Sequence, residues 1–298
     1  MKEAQKACIF CNEPLTGKRS KEHVFPRWLL KYFGIHNDPI EGQLLRATKV
    51  ERSGSRYDIE YQLQGTRSHV FDAFVNGRVC TTCNSGWMSS LEVDVMPIIK
   101  AIHEKRQNIT TSFHDLSLSD SYTLARWAAK TAFVLDHTVA GKSTVPLHHL
   151  WHIKEIPTSL PAGTTVFIGL QNAAIFLNWY RSSTWFGRFS PRQFDNSEQQ
   201  FREITGRSYK ISIIAGRLVI LVAYFPDIDW RMTHLSDVHH VLWPPEAQVW
   251  CTPSSAGLPT SWEAPPVQFF NETLRIYHIP SCLHALNAML MSGKGEAP

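Results

Sequence analysis

Four of the six cysteines fall in two pairs, Cys8-Ile9-Phe10-Cys11 and Cys80-Thr81-Thr82-Cys83. Two residues between the cysteines of a pair let a tight turn aim both sulfurs at one ion. Two such knuckles supply the four soft thiolates of a tetrahedral zinc site. A thioredoxin-type redox motif needs one CxxC in a βαβ context, and neither pair has that context. Structural Zn²⁺ held by Cys8, Cys11, Cys80 and Cys83 is the expectation. Cys251 and Cys282 stand alone and read as buried small hydrophobes.

Between the knuckles lies Ser20-Lys21-Glu22-His23-Val24-Phe25-Pro26, an acid beside a histidine, then two apolar residues and a proline. The second knuckle sits in Asn76-Gly77-Arg78-Val79-Cys80 and is followed at once by Asn84. With both motif halves in this order, the chain resembles the HNH, or ββα-metal, nuclease family with a four-cysteine zinc support. The resemblance covers about residues 7–92. It implies that Glu22 and Asn84 hold a catalytic divalent ion, that His23 is the general base, and that Asn76 orients His23. Two protein oxygens completed by water and phosphate oxygens suit a hard ion, Mg²⁺ or Mn²⁺.

The implied reaction is hydrolysis of a phosphodiester, which repels nucleophiles and has a poor leaving group. A neutral imidazole is suited to take the proton of the attacking water near neutral pH. Adjacent strand residues point to opposite faces, so Glu22 and His23 are expected to look in different directions. Lys18, Arg19, Lys21, Arg27 and Arg78 surround the motif and are candidates for tracking phosphates. The expected protein is an HNH-type endonuclease acting on nucleic acid, with double-stranded DNA foremost and a homodimer as a simple route to cutting both strands. Restriction, phage defence and mobile-element roles fit such a nuclease. The alternative is a non-catalytic zinc module that binds nucleic acid or a protein partner.

The elements that must position these residues are legible in part. Trp28 to Phe33 has helical apolar spacing and stops at Gly34. Fifty-two residues separate His23 from Asn76, so the strands expected over 44–75 are an insertion in the ββα unit. Within them Tyr57–Leu63 alternates apolar and polar with period two. A helix is expected from Asn84, interrupted or kinked at Pro97. Another, capped by Ser119-Asp120, carries Leu124, Trp127, Ala128, Thr131 and Leu135. Strands are expected at Thr165–Leu170, Ala174–Tyr180 and Tyr209–Phe225, the last folding back at Ala215-Gly216. Proline-rich loops over 244–266 and a short helix over Leu283–Met291 complete the chain.

Composition agrees with a globular protein: 43% of the 298 residues are hydrophobic and 19% charged. The length suggests two domains. Residues 1–112 read as the zinc-supported module with its strand insertion, and 113–298 as a larger α+β domain that senses or selects the target. The net charge of +4 lies wholly in 1–112, which hold 16 Lys/Arg and 12 Asp/Glu against 14 of each in the remainder. Excess positive charge there suits a polyanionic partner. The longest apolar run, Leu218 to Phe225, is too short to span a bilayer, and a cytoplasmic address is expected. His148 and His152 stand at i, i+4 but lack the Glu-x-x-His context of a metal pair.

Overall fold

The computed structural model describes residues 6–15, 20–53, 56–104, 116–139, 143–182, 208–224, 230–234, 239–244 and 274–278. The fold is α+β. In chain order the elements are β1 (Glu22–His23), α1 (Arg27–Phe33), β2 (Pro39–Ser53), β3 (Arg56–Val70), β4 (Val75–Asn76), α2 (Ser89–Glu104), α3 (Leu118–Asp136), α4 (Leu147–Glu155), β5 (Thr164–Ser182), β6 (Tyr209–Tyr224), β7 (Trp230–His234), β8 (His239–Trp243) and β9 (Leu274–His278). The expected helix over Leu283–Met291 and the loops over 245–266 lie outside the described residues, as do Cys251 and Cys282.

β1 and β4 form a two-stranded antiparallel pair with Glu22 opposite Asn76 and His23 opposite Val75. Everything between them is an insertion: α1 and the long hairpin of β2 and β3, paired from Pro39↔Val70 to Ser53↔Arg56. Gly34 ends α1 at φ 71, a left-handed conformation in which a residue without Cβ is least strained. After the second knuckle the chain takes a helical turn at Thr81–Cys83 and a wider one at Asn84–Met88, then enters α2. The break in helical geometry comes at Gly86 (φ −92, ψ −117), not at Pro97, through which α2 continues. Val93 and Pro97 are both exposed, so the helical bond that proline cannot donate is missing on the water-facing side.

Two further expectations are corrected. The cap of α3 is Ser117, whose Oγ accepts from the Asp120 backbone N–H at 3.0 Å, rather than Ser119-Asp120. Tyr209–Tyr224 is one continuous strand, not a hairpin turning at Ala215-Gly216. Its partner β5 is longer still, 19 residues against 16, and the three-stranded antiparallel sheet runs β6-β5-β8. Gly216 lies where the register jumps, with Leu170 opposite Leu218 but Ile175 opposite Gly216. Glycine here marks a bulge instead of a turn.

A single apolar cluster joins the knuckles (Ile9, Phe10), α1 (Leu29, Leu30), α2 (Val95, Ile99), α3 (Trp127, Phe133) and the sheet (Ile211, Ile220). α3 is central: from Leu124 to Asp136 nearly every residue is buried, as befits a helix enclosed on all sides. Among the described residues, no helix is long and apolar enough to cross a membrane.

Candidate functional site

Each knuckle is a local turn closed by its own backbone. In the first, Cys8 N–H donates to Glu13 O and Asn12 N–H to Cys8 O, both at 2.9 Å, with Asn12 at φ 59, a conformation asparagine tolerates. In the second, Cys83 N–H donates to Cys80 Sγ at 3.3 Å. Ile9 N–H to Arg78 O at 3.0 Å and Cys80 N–H to Cys8 Sγ at 3.3 Å tie the two together. The four ligand sulfurs lie within 4.8 Å of one another, and Cys11 Sγ is 3.7 Å from Cys80 Sγ. That separation is far too long for a disulfide, and tetrahedral Zn–S bonds place sulfurs about 3.8 Å apart.

The thiols already share protons unequally. A hydrogen bond from Cys83 holds Cys8 down to about 4, against the opposing effect of burial. The same bond raises Cys83, and burial lifts Cys11 to about 11. Four sulfurs so close cannot all ionise without a cation among them, so the soft donor set and its spacing fit a metal such as zinc.

Glu22 and His23 diverge from β1. The side chains of Ser20, Glu22 and Val24 are buried, Lys21 is exposed and His23 is partly exposed. On the inner side Asn84 donates its Nδ2 to Ser20 Oγ. Glu22 Oε1 accepts from Lys130 Nζ at 3.2 Å, and Lys130 also reaches Glu92 Oε1 at 2.7 Å. Burial and the neighbouring Glu92 raise the pKa of Glu22, opposed by Lys130. For Lys130, burial works against the charge, but Glu92 and Glu22 outweigh it and hold the pKa above that of ordinary lysine. With its nitrogen turned to Ser20, Asn84 directs its oxygen elsewhere. Glu22 and Asn84 each carry an oxygen of the hard type that Mg²⁺ or Mn²⁺ prefers.

On the outer side His23 Nε2 stands 3.6 Å from Asp72 Oδ1. Asp72 is clamped by Arg27, whose Nε and Nη2 donate to its two oxygens at 2.9 Å each. Burial lowers the His23 pKa and the Arg27 charge adds to this, while the Asp72 carboxylate and a hydrogen bond to the Asp72 backbone oppose them. The net result favours a neutral imidazole, the form that accepts a proton.

Asn76 is placed differently from expectation. It is buried, and its Nδ2 donates to Thr138 Oγ1 at 2.9 Å and to Val134 O at 3.4 Å, while its Oδ1 accepts from Arg78 N–H at 2.8 Å. Its bonds lead to α3, to Thr138 just beyond the end of α3, and to the knuckle turn. Asn76 faces away from His23 because it lies opposite Glu22 in the strand pair, and the group beside the imidazole is Asp72.

Of the basic residues, Lys21 and Arg78 are exposed. Arg27 is also exposed, but its guanidinium is engaged by Asp72. Lys18 and Arg19 lie outside the described residues. Asp72, Glu92 and Lys130 escaped the sequence reading. Only Lys130 carries a signal, as the sole charged residue in the run Trp127–Leu135. Comparison of the chain with protein-family models, with curated proteins and with solved structures finds no match.

Proposed function

We propose that this protein is a metal-dependent endonuclease of the HNH type, hydrolysing phosphodiester bonds with His23 as general base. The observation that carries this reading is the split at β1. Glu22 turns inward to Lys130, and His23 turns outward beside a carboxylate anchored by Arg27. The HNH resemblance assigns these two residues the roles of metal-binding acid and water-activating base.

The cysteines would hold zinc as a scaffold, fixing the start of the first strand and of the helix that carries Asn84. Glu22 and Asn84 would hold a Mg²⁺-type ion, which supplies charge neutralisation at the scissile phosphate and at the departing oxygen. His23, neutral at physiological pH, removes the proton from water. Asp72 restrains the imidazole and stabilises the imidazolium that proton transfer creates, a role common for carboxylates beside catalytic histidines. The Arg27 fork holds Asp72 in place. Lys21 and Arg78 remain for phosphate contacts, and DNA is the proposed substrate.

The test is plasmid cleavage with Mg²⁺ by His23→Ala. Loss of a general base should lower the rate by about 10²–10⁴-fold while zinc content and melting temperature stay unchanged. Undiminished cutting by the folded variant would sink the assignment and favour a binding module instead.

A further inference from the structure

Lys130 comes from α3, outside the stretch that carries the zinc and Glu-His motifs, and its side chain is fully buried. Lysine is rarely buried completely unless paired, and here its Nζ is shared by Glu22 at 3.2 Å and Glu92 at 2.7 Å. The fold thus delivers a permanent positive charge to the acid proposed to bind the divalent ion. Two carboxyl groups, those of Glu22 and Glu92, thus share one ammonium. An ion arriving at Glu22 meets a carboxylate already bound to an ammonium, and like charges repel strongly where water is scarce.

We propose that Lys130 is a resident counter-ion that competes with the divalent cation for Glu22. It thereby keeps the cation affinity of the free protein low, so that the ion binds tightly only together with the anionic phosphodiester. This inference rests on the reading of Glu22 as a metal ligand. The phosphate supplies the negative charge that Lys130 has cancelled, which makes cation and nucleic acid mutually reinforcing ligands. Lys130 is the one charged residue in the run Trp127–Leu135.

The experiment is Mn²⁺ titration of the full-length, zinc-loaded protein without nucleic acid, followed by electron paramagnetic resonance. Lys130→Met should bind Mn²⁺ about tenfold or more tightly than the parent, and Lys130→Arg should bind as weakly as the parent. Adding Glu22→Gln to Lys130→Met should abolish the gain. Circular dichroism checks that each variant is folded. Should Lys130→Met not fold, Glu92→Gln serves, since Glu92 is partly exposed. It leaves Lys130 to Glu22 alone, and Mn²⁺ affinity should fall several-fold. Unchanged or weaker binding by folded Lys130→Met, or unchanged or tighter binding by Glu92→Gln, overturns the proposal. If Glu22→Gln abolishes Mn²⁺ binding in the parent while Lys130→Met leaves it unaltered, only the counter-ion role falls. If Glu22→Gln changes Mn²⁺ binding in neither background, Glu22 is not a ligand and both readings fall.

Discussion

His23 and Asn76 show how much one residue of register decides. Because Glu22, not His23, sits opposite Asn76, the asparagine amide points into the interior and serves Thr138, Val134 and the Arg78 backbone. Two predictions separate the roles. Asn76→Ala leaves buried donors and acceptors unsatisfied, so urea denaturation should show a loss of about 1–3 kcal/mol, while the folded fraction keeps its cleavage rate. Asp72→Asn should do the reverse: cleavage falls about tenfold through lost restraint and charge at the imidazole, with melting temperature and zinc content near those of the parent. Partial recovery in Asp72→Glu would separate a carboxylate requirement from simple loss of packing. A stable, fully active Asp72→Asn would remove the dyad from the mechanism.

At the scale of elements, the knuckles and the turns around them do the positioning. β1 and β4 are two residues each, too short to hold a register through strand pairing alone. Their neighbours are fixed by the cysteine cluster, by Ile9 N–H to Arg78 O, and by Phe10 set edge-on against Trp87 with centroids 5.3 Å apart. Cys80→Ser should therefore lower zinc from about one per chain to near zero and unfold the strand pair. Elemental analysis beside near-ultraviolet circular dichroism reads both effects, and retained tertiary signal without zinc would contradict the scaffold role. This failure differs in kind from that of His23→Ala, which spares the fold. The helices were largely legible in sequence: the stop at Gly34 and the apolar face of α3 follow from local rules. The break at Gly86 rather than Pro97 was not, because whether a missing helical bond matters depends on which side faces water.

For the whole molecule, the strongest feature is that α3 is a shared wall. Its residues Trp127, Ala128 and Phe133 lie in the same apolar cluster as Phe10, Leu30 and Val95. Arg126 sits over the Trp87 ring at 5.2 Å and donates to Ile153 O at 3.0 Å, so one side chain touches the knuckle helix and α4. Asn76 and Glu22 both find their partners on or beside α3. The expected division near residue 112 falls among residues outside the described set, but the packing on either side of it has a consequence. Residues 1–112 expressed alone should lack a cooperative thermal transition even with zinc, since they lose Lys130 and the apolar face that covers α2. A sharp transition in calorimetry would show an autonomous module.

The sequence by itself determined the local chemistry. A cysteine pair with two residues between is confined to one turn, so its own two sulfurs are set side by side locally, and an acid beside a histidine on a strand must diverge by the alternation of the backbone. Tertiary structure alone decided what each diverging group meets. Asp72 reaches His23 only because the β2–β3 hairpin returns the chain beside β1, and Lys130 reaches Glu22 across 108 positions of chain. Ion pairs of this kind leave no periodicity or spacing to read, because they arise where separate elements pack, and packing is a property of the assembled core rather than of any segment of it.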